Sequence, residues 1–599
     1  MPNLVRHPRL SARKEMLTFV SMTMLIHVML FCLSATAQAP DWLWARGMNG
    51  DSTCTPSSIA IDTALNGDIY TAGWFFGTVD FNPGAGVFNL TSVGARDIFI
   101  SKLNASGNFV WARRMSGINY EEVTSIAIDP SGNGDVYTTG YFEGTVDFDP
   151  GAGVFNLTAV SQNDIFISKL NSLGNFIWAK QIGGFSNQNS RSIALDPSES
   201  GYIYTTGVFG GMTDFDPGAG VFNLTSLTTH DLFVSKLDSA GNFVWAKAMG
   251  GATFTDYARG SSISIDPAGS GNVYTTGSFF GTIDFDPGAG VFNLTSTVTT
   301  THDIFISKLD SAGNFIWAKQ MGGTGHDSPY SIAIDPFGSG NVYTTGWFLG
   351  TADFDPGAGI FNLISDGDYD IFISKLNASG NFVWAKRIGG INSELAYSLI
   401  LDPSGSGGVY TTGYFIETVD FDPGPGTFNL TTAIGTNGMF ILKLDSSGNF
   451  MWAKDTGGSG GTVGLAAALD AFGKVHVAGT FGGSASFGST ILTGSALLSD
   501  FFIAKLDNLI TGINPISIFH FPISISTNPF TTQATITFTN QLHSATFRLY
   551  NLYGQLVQEK NNISGREIIL SRENLGSGVY VYEVSDKEKK ICTGKAVVY

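Results

Sequence analysis

A Trp-Ala pair recurs seven times along this 599-residue chain, and the near-constant spacing of the pair limits the folds that the chain can adopt. The intervals are 67, 67, 67, 72, 67 and 68 residues, between Trp44, Trp111, Trp178, Trp245, Trp317, Trp384 and Trp452. A fixed period of this size indicates a repeat architecture in which each unit is one supersecondary element that packs on its neighbours. The 75 glycines and 13% aromatic residues fit many short strands joined by tight turns.

Each unit is predicted to contain three hairpins. In the second unit, the alternating runs 125–129 and 135–139 flank a Gly-rich turn and predict the first hairpin. Residues 145–148 and 154–157 flank Asp-Pro-Gly-Ala-Gly and predict an inserted second hairpin. The third hairpin joins residues 164–170 to the Trp strand, 176–180.

The order of these hairpins predicts how the array ends. The strand 41–45 has no preceding partner, and the strand 500–506 has no Trp strand after it, so each can complete the other. The fold expected is therefore all-β, a seven-bladed β-propeller closed by an N-terminal strand and followed by a small β-sandwich. An open solenoid is the alternative, and it would leave both end strands unpaired.

The repeat unit resembles the extracellular β-propeller repeats of bacteria, of the SBBP type, and more distantly NHL-type repeats. The resemblance rests on the motifs IAIDPSG, VYTTG, DIFISKL and GNFVWAK and covers residues 42–507. The run Asp238–Gly241 together with Trp245 also resembles the Trp-docking turn of quinoprotein propellers. We interpret that likeness as packing, because a Trp in every unit is better explained by structure than by a cofactor.

The N-terminus is predicted to be a secretory signal peptide, residues 1–37. Four basic residues precede an apolar run, 16–33, which ends at Ala35-Thr36-Ala37. A transmembrane anchor is the alternative, although the run is near the lower limit for spanning a bilayer. The remaining predicted domains are the propeller at 38–507, a linker at 508–513 and a C-terminal sandwich at 514–599, with no membrane-spanning segment after cleavage.

The C-terminal segment resembles the sorting domain of type IX secretion cargo from Bacteroidetes. The resemblance rests on four short motifs in order, which contain Asn528, Pro529, Phe530, Gly554, Gly578, Tyr580, Gly594 and Lys595. It implies that the type IX secretion machinery is a partner. It also implies a secreted protein, extracellular or attached to the outer cell surface. An ordinary sandwich module is the alternative.

The charge of the chain argues against nucleic-acid partners. Its 50 Asp and Glu outnumber its 32 Lys and Arg, so the formal net charge is −18. Such a chain repels phosphate backbones and anionic lipids.

A pair of acidic residues two positions apart recurs in the inserted hairpin. Residues two apart on a strand face the same side, so two carboxylates could meet a hard cation such as calcium. The alternative is that the second Asp caps the backbone of the Asp-Pro-Gly turn and the first faces water. No other cofactor is expected. The metal candidates are Asp147, Asp149, Asp214, Asp216, Asp284, Asp286, Asp353, Asp355, Asp420 and Asp422.

The segment between each Trp strand and the following Ser-Ile run differs from unit to unit. Loops on one propeller face would bring these segments together, so their aromatic and acidic tips predict a ligand surface. Unselected loop variation is the alternative. The candidate binding residues are Tyr120, Glu121, Asp256, Tyr257, His326, Asp327, Tyr330 and Glu394.

The sequence contains no familiar catalytic signature. It has no HExxH, no GxSxG and no phosphate-binding loop. We therefore predict a secreted or cell-surface, non-enzymatic binding or adhesion module for glycan or cell-surface protein. The alternatives are a secreted enzyme that cleaves polysaccharide or peptide at the propeller axis, and a purely structural envelope protein.

Overall fold

A computed structural model describes most of the chain as β-strands. The described residues are 39–507 without 65, 199–200 and 496–497, and then 523–526, 530–551, 556–572, 575–576, 578–586 and 589–598. The predicted signal peptide and linker lie outside them. The chain divides into two compact units, Met1–Ile510 and Thr511–Tyr599. Within the described ranges, no helix has the length and hydropathy needed to cross a membrane.

The first unit is built from four-stranded antiparallel sheets, numbered 1 to 7 along the chain. Sheet 1 contains β2 (Cys54–Ile61), β3 (Ile69–Phe75), β6 (Asp97–Leu103) and β7 (Phe109–Gly117). Sheet 2 contains β8 (Glu121–Ile128), β9 (Val136–Asp147), β10 (Asn156–Leu170) and β11 (Phe176–Gly184). Sheet 3 contains β12 (Gln188–Leu195), β13 (Ile203–Phe209), β16 (Asp231–Leu237) and β17 (Phe243–Gly251).

The remaining sheets repeat this order. Sheet 4 contains β18 (Tyr257–Ile265), β19 (Val273–Phe280), β22 (Asp303–Leu309) and β23 (Phe315–Gly323). Sheet 5 contains β24 (Asp327–Ile334), β25 (Val342–Phe348), β28 (Asp370–Leu376) and β29 (Phe382–Ile388). Sheet 6 contains β30 (Leu395–Leu401), β31 (Val409–Ile416), β34 (Asn437–Leu444) and β35 (Phe450–Asp455). Sheet 7 contains β36 (Thr462–Leu469), β37 (Val475–Phe481), β40 (Asp500–Leu506) and β1 (Trp42–Gly50).

Sheet 7 therefore combines strands from the two ends of the repeat array. β1 runs antiparallel to β40, with Ala45 opposite Ala504 and Met48 opposite Phe501. This is the pairing that the sequence predicts for residues 42–46 and 501–506. The first strands of successive sheets also contact one another, and β36 of sheet 7 contacts β2 of sheet 1.

The predicted inserted hairpins are present between the second and third strands. In sheet 2 the hairpin continues β9 and β10, and in the other sheets it forms separate short strands. These are β4 (Thr78–Asp80) with β5 (Asn89–Thr91), β14 (Met212–Asp214) with β15 (Asn223–Thr225), β20 (Thr282–Asp284) with β21 (Asn293–Thr295), β26 (Thr351–Asp353) with β27 (Asn362–Ile364), β32 (Thr418–Asp420) with β33 (Asn429–Thr431), and β38 (Ser484–Phe487) with β39 (Thr490–Thr493). Each hairpin also pairs with the end of the preceding Trp strand, as Gly183 does with Asp214.

The recurring Trp joins each sheet to the next. The Trp111 indole N–H donates to the Ser172 carbonyl oxygen at 3.2 Å, and Gly174 in the same turn has a φ of 75°. A Cβ at Gly174 would lie 3.1 Å from the Trp111 ring, so Gly allows both the turn and the close contact. The turn Asp238–Gly241 packs in this way on Trp178, whereas Trp245 donates to Ser311 in the next sheet. The predicted docking turn therefore receives the Trp of the preceding sheet.

The second unit forms one five-stranded sheet. Its strands are β41 (Ile523–Ser526), β42 (Gln533–Tyr550), β43 (Leu556–Ser571), β44 (Gly578–Asp586) and β45 (Lys589–Val598). β42 pairs with β43 along its length, while its other edge pairs first with β41 and then with β44. Register shifts in the β42–β43 pairing let one continuous sheet bend around its apolar core, which differs from the predicted two-layer sandwich.

Candidate functional site

Each first strand in sheets 1 to 7 contains a β-bulge near its beginning. In sheet 5, for example, Pro329 pairs with Gly346 and Ser331 with Thr345, so Tyr330 between them has no partner. A bulge redirects the side chain of the extra residue away from the regular alternation of the strand. The seven bulge residues are Ser57, Thr124, Arg191, Ser261, Tyr330, Tyr397 and Leu465.

A glycine on the second strand makes room for each bulge. A Cβ at Gly277 would lie 1.8 Å from the Arg259 carbonyl oxygen, and a Cβ at Gly346 would lie 2.1 Å from that of Ser328. Any larger residue would therefore push the bulged backbone away. This requirement explains why the recurring motif Val-Tyr-Thr-Thr ends in Gly.

All seven bulge residues line one cavity of about 340 Å³, which we call the bulge cavity. Its other lining residues are Thr55, Pro56, Trp74, Glu122 and Arg259. Seven positions that are equivalent in the repeat thus meet at one place. Because those positions carry different side chains, the cavity is chemically asymmetric although the backbone repeats.

Two arginines of the bulge cavity have no direct ion pair with an acid among the described residues. The Arg191 side chain is exposed to the cavity and has no hydrogen bond or ion pair within the described part of the chain. Burial among neighbouring groups lowers the pKa of the Arg191 guanidinium, and the charge of Arg259 lowers it further. Arg259 donates to the Ser328 hydroxyl at 3.4 Å, while its buried Nε has no hydrogen-bond partner among the described residues.

The charge of Glu122 is balanced locally. Its carboxylate accepts a hydrogen bond from the Tyr141 hydroxyl at 2.8 Å and pairs with Arg96 at 3.3 Å. Arg96 in turn lies 4.0 Å from the centre of the Trp74 ring, a cation–π contact. Burial and the Glu122 charge raise the pKa of Tyr141, so this hydroxyl stays protonated as a donor. Glu122 is therefore paired directly with Arg96, and it offsets the charge of Arg191 only in part and without a direct ion pair.

Two tyrosines, Tyr330 and Tyr397, also line the cavity. Tyr330 and Tyr397 lie with ring centres 5.0 Å apart, and Tyr414 lies 6.1 Å beyond Tyr397. Burial raises the pKa of Tyr397, and the neighbouring Tyr330 and Tyr414 raise it further. The Tyr397 hydroxyl therefore stays protonated, and each of these rings combines an apolar face with a polar hydroxyl.

A second cavity, of about 820 Å³, lies at the other ends of the first strands. Its walls repeat one apolar position from sheet to sheet, as at Ile61, Ile265, Ile334, Leu401 and Leu469. It is larger, and its charged lining residues, Asp402, Lys443 and Asp470, are engaged in ion pairs. We therefore place the candidate site at the bulge cavity.

Four predicted binding residues are buried acids. Glu121, Asp327 and Glu394 are fully buried, and Asp256 is 6% exposed. Three of them, Asp256, Asp327 and Glu394, accept hydrogen bonds from nearby backbone groups, as Asp327 does from Gly323 N–H at 3.0 Å. These acids are therefore buried beside the beginnings of their strands and do not stand at exposed loop tips. Their part in ligand binding stays a prediction.

The other four predicted binding residues are aromatic or His. Tyr330 lines the bulge cavity, whereas the exposed Tyr120 lies 5.7 Å from the Arg96 guanidinium. Tyr257 stacks on Phe280 at 5.3 Å. His326 Nδ1 lies 3.0 Å from His302 Nδ1, and burial together with His326 lowers the pKa of His302 to about 4. Of the eight candidates, the structure brings only Tyr330 to the bulge cavity.

The recurring Asp pairs cap the inserted hairpins. Asp147 Oδ1 accepts hydrogen bonds from the N–H groups of Asp149 and Phe155, and Asp149 Oδ1 accepts one from Gly151 N–H. The first Asp is thus a backbone acceptor and not merely a solvent-facing group. The same bonds recur at the pairs 214/216, 284/286, 353/355 and 420/422. Among the described residues no group of three or more His, Cys, Asp or Glu is arranged to hold a metal, and calcium binding by these pairs stays a prediction.

The predicted sorting residues lie partly outside the described residues, at Asn528, Pro529 and Gly554. Phe530 is buried in the core of the second unit, and Tyr580 donates to the Gly576 carbonyl oxygen at 2.9 Å. Gly578 begins β44, and Gly594 and Lys595 lie on β45.

Comparison with known families assigns both parts of the chain. Residues 525–599 match the secretion system C-terminal sorting domain, and residues 316–347 match the β-propeller repeat of the SBBP family. The chain therefore contains an SBBP β-propeller repeat and a type IX sorting domain. Both suspected resemblances are thereby confirmed, and the sorting domain indicates export to the cell surface or the medium.

Individual relatives are more distant. An uncharacterized WD repeat-containing protein, L264, of Acanthamoeba polyphaga mimivirus is 26% identical over 70% of this propeller-repeat protein. The regulatory protein FlaEY of Caulobacter vibrioides is 28% identical over 25% of it. The chain spans only 35% and 14% of the length of these two relatives.

Two solved structures are similar at low TM-scores. Sqt1 from Chaetomium thermophilum gives 0.37 at 10% identity, covering 78% of this chain and 99% of its own. A fungal alcohol oxidase of the AA5 family, in complex with copper, gives 0.34 at 13% identity, covering 94% and 100%. Scores this low support no argument about function.

Proposed function

We propose that residues 38–507 form a closed seven-bladed propeller that acts as a non-enzymatic binding module, displayed on the cell surface or released after type IX export. The pairing of β1 with β40 and the contact of β36 with β2 support the closed ring. Residues 1–37 are the proposed signal peptide.

The ligand site that we propose is the bulge cavity. The observation that carries this proposal is that seven equivalent bulges bring five different types of side chain to one space. A repeat that served packing alone would place similar residues at equivalent positions, as it does in the larger cavity. Cavities with a few polar groups among aromatic walls are the usual form of small-ligand sites.

The cavity has too few free carboxyl groups for hydrolysis, and this favours a binding function. Among its described lining residues the one carboxylate is Glu122, which is held by Tyr141 and Arg96. Glycoside hydrolysis usually requires two carboxyl groups on either side of the bond to be cleaved. The cavity offers instead aromatic faces and donors, which suit recognition.

A glycan array with the purified protein tests this function. We expect specific glycans to bind, and Tyr330→Ala combined with Tyr397→Ala to weaken that binding by about tenfold or more, because stacked aromatic residues dominate such sites. Phe254→Ala is the control, since Phe254 is an exposed aromatic residue outside the cavity lining. Equal binding by the double variant and the wild type would contradict a site in the bulge cavity.

A further inference from the structure

We propose that the bulge cavity recognises an anionic sugar ring, carrying a carboxylate or a sulfate, through Arg191 and Arg259. This inference rests on the proposed function, because it names the ligand class of the same site. The observation behind it is that the cavity contains positive charge although the chain as a whole is acidic. The chain has a formal net charge of −18, yet this cavity holds two arginines and one carboxylate, Glu122, which is already paired with Arg96.

The free-energy cost of holding Arg191 and Arg259 close together without a bound anion points to a ligand. The charge of Arg259 disfavours the charged form of Arg191, and neighbouring groups exclude part of the solvent from the Arg191 guanidinium. The Arg259 Nε–H is buried and unpaired among the described residues, and an unpaired buried donor costs on the order of 1–3 kcal/mol. An anion placed between the two guanidinium groups would remove the repulsion and satisfy that donor. Arg forms paired, directional hydrogen bonds with carboxylate and similar oxyanions.

The remaining lining residues favour a sugar ring over a peptide. Tyr330, Tyr397 and Trp74 offer flat aromatic faces, and the hydroxyls of Ser57, Thr124 and Ser261 lie among them. Aromatic faces stack on rings that have polar edges, and hydroxyls pair with those edges. An apolar peptide side chain would need an aliphatic pocket, but Leu465 and Pro56 are the aliphatic members of the described lining. The volume of about 340 Å³ suits the end of a chain and not a long segment.

The position of Glu122 indicates how a bound sugar would be oriented in the cavity. Its carboxylate is held by Tyr141 and Arg96 beside Trp74, so it can accept hydrogen bonds from sugar hydroxyls at that side. The two arginines mark where the anionic substituent binds. A neutral sugar would leave both guanidinium groups unpaired, and such sites discriminate strongly against a ligand that lacks the matching group.

Calorimetry with matched ligands tests the inference on the full chain. The probes are trigalacturonate, the same trisaccharide with its carboxyl groups reduced to alcohols, a sulfated trisaccharide, and tetraglutamate as an acidic peptide. We expect the two acidic sugars to bind at least about tenfold more tightly than the reduced sugar, and to lose that advantage as salt rises. Carboxylate and sulfate are distinguished by which acidic sugar binds more tightly.

The variants are Arg191→Gln with Arg259→Gln, and Lys247→Gln as a control that removes one positive charge from β17, away from the cavity lining. The arginine pair should lose about tenfold or more in affinity for the acidic sugars, while affinity for the reduced sugar stays within about twofold. Arg191→Lys with Arg259→Lys keeps the charge and should restore part of the affinity. Unchanged melting temperatures establish that the variants are folded.

The outcomes separate this inference from the proposed function. If acidic and reduced sugars bind equally, and only the change of Tyr330 and Tyr397 weakens them, the anion inference is overturned while the binding site stands. If tetraglutamate binds most tightly and depends on the arginines, the anion part holds and the sugar part is overturned. If no probe binds, or if neither the arginine pair nor the tyrosine pair alters binding, both proposals are overturned.

Discussion

Gly277→Ala should destabilise the first unit by about 3 kcal/mol or more, although it adds a single methyl group. That methyl would lie 1.8 Å from the Arg259 carbonyl oxygen and 2.7 Å from the Phe305 ring. The backbone oxygen can move only if the bulge in β18 opens, and the ring is fixed in the core of the sheet. Thermal and urea unfolding of the full chain measure the effect.

Gly461→Ala is the matched control for this prediction. It makes the same substitution in a connecting segment, where the nearest heavy atom to the added Cβ is 3.9 Å away. We expect its unfolding midpoint to stay close to that of the wild type. An unfolding midpoint of Gly277→Ala as high as that of Gly461→Ala would show that the bulge is not fixed by this contact. It would also weaken the argument that the bulges aim the cavity residues.

The fold could be predicted from the sequence to a large extent because the repeat multiplies every local signal. One Gly-rich turn between two alternating runs is a weak indication of a hairpin, but the same turn in successive units is a strong one. The unpaired runs 41–45 and 500–506 then determined how the ends meet, since an exposed edge strand seeks a partner. The second unit forms one sheet and not the predicted sandwich. The alternation of apolar and polar residues indicates which segments are strands, but it does not indicate which strands pair with each other.

The candidate site could not be predicted in the same way. The sequence singles out variable loops, and the structure shows that the acids in those loops fold back beside their own strands, as Glu394 does when it accepts from Gly390 N–H at 2.8 Å. The useful signal was the residue directly before each recurring Ser-Ile. It is Arg191 in the third unit and Tyr330 in the fifth, and it varies although its neighbours repeat. Only the bulge explains why this residue leaves the strand face and enters the cavity.

Glu121→Gln should make the protein more stable at alkaline pH and leave it nearly unchanged at acidic pH. Glu121 is fully buried at the start of β8, where burial, then the Asp97 carboxylate, and more weakly Glu143 raise its pKa from 4.5 to about 8. The backbone N–H groups of Gly117 and Asn119 oppose this rise without cancelling it. Asp97 is itself buried, and the Arg114 guanidinium lies 3.7 Å from it.

The direction of this pH dependence follows from the difference between the Glu121 pKa in the unfolded chain and that in the folded chain. Below pH 4.5 the carboxyl is protonated in both the folded and the unfolded chain, so it contributes no pH dependence. Between pH 4.5 and about 8 the unfolded chain releases the proton while the folded chain keeps it, so rising pH favours unfolding. A rise of this size corresponds to about 3 kcal/mol after allowance for local relaxation. The stability of Glu121→Gln relative to the wild type should therefore increase by that amount from pH 4 to pH 8.5.

The chain supplies its own matched control at the corresponding position of the next sheet. Gln188 begins β12 as Glu121 begins β8, is fully buried, and donates to the Thr213 hydroxyl at 3.2 Å. This shows that an amide is accommodated at this position, so Glu121→Gln should fold. The reverse change, Gln188→Glu, should introduce a loss of stability that grows with pH over the same range. Melting temperatures from pH 4 to pH 8.5 measure both variants, and a difference from wild type that does not change with pH would mean that Glu121 is ionised in the folded protein.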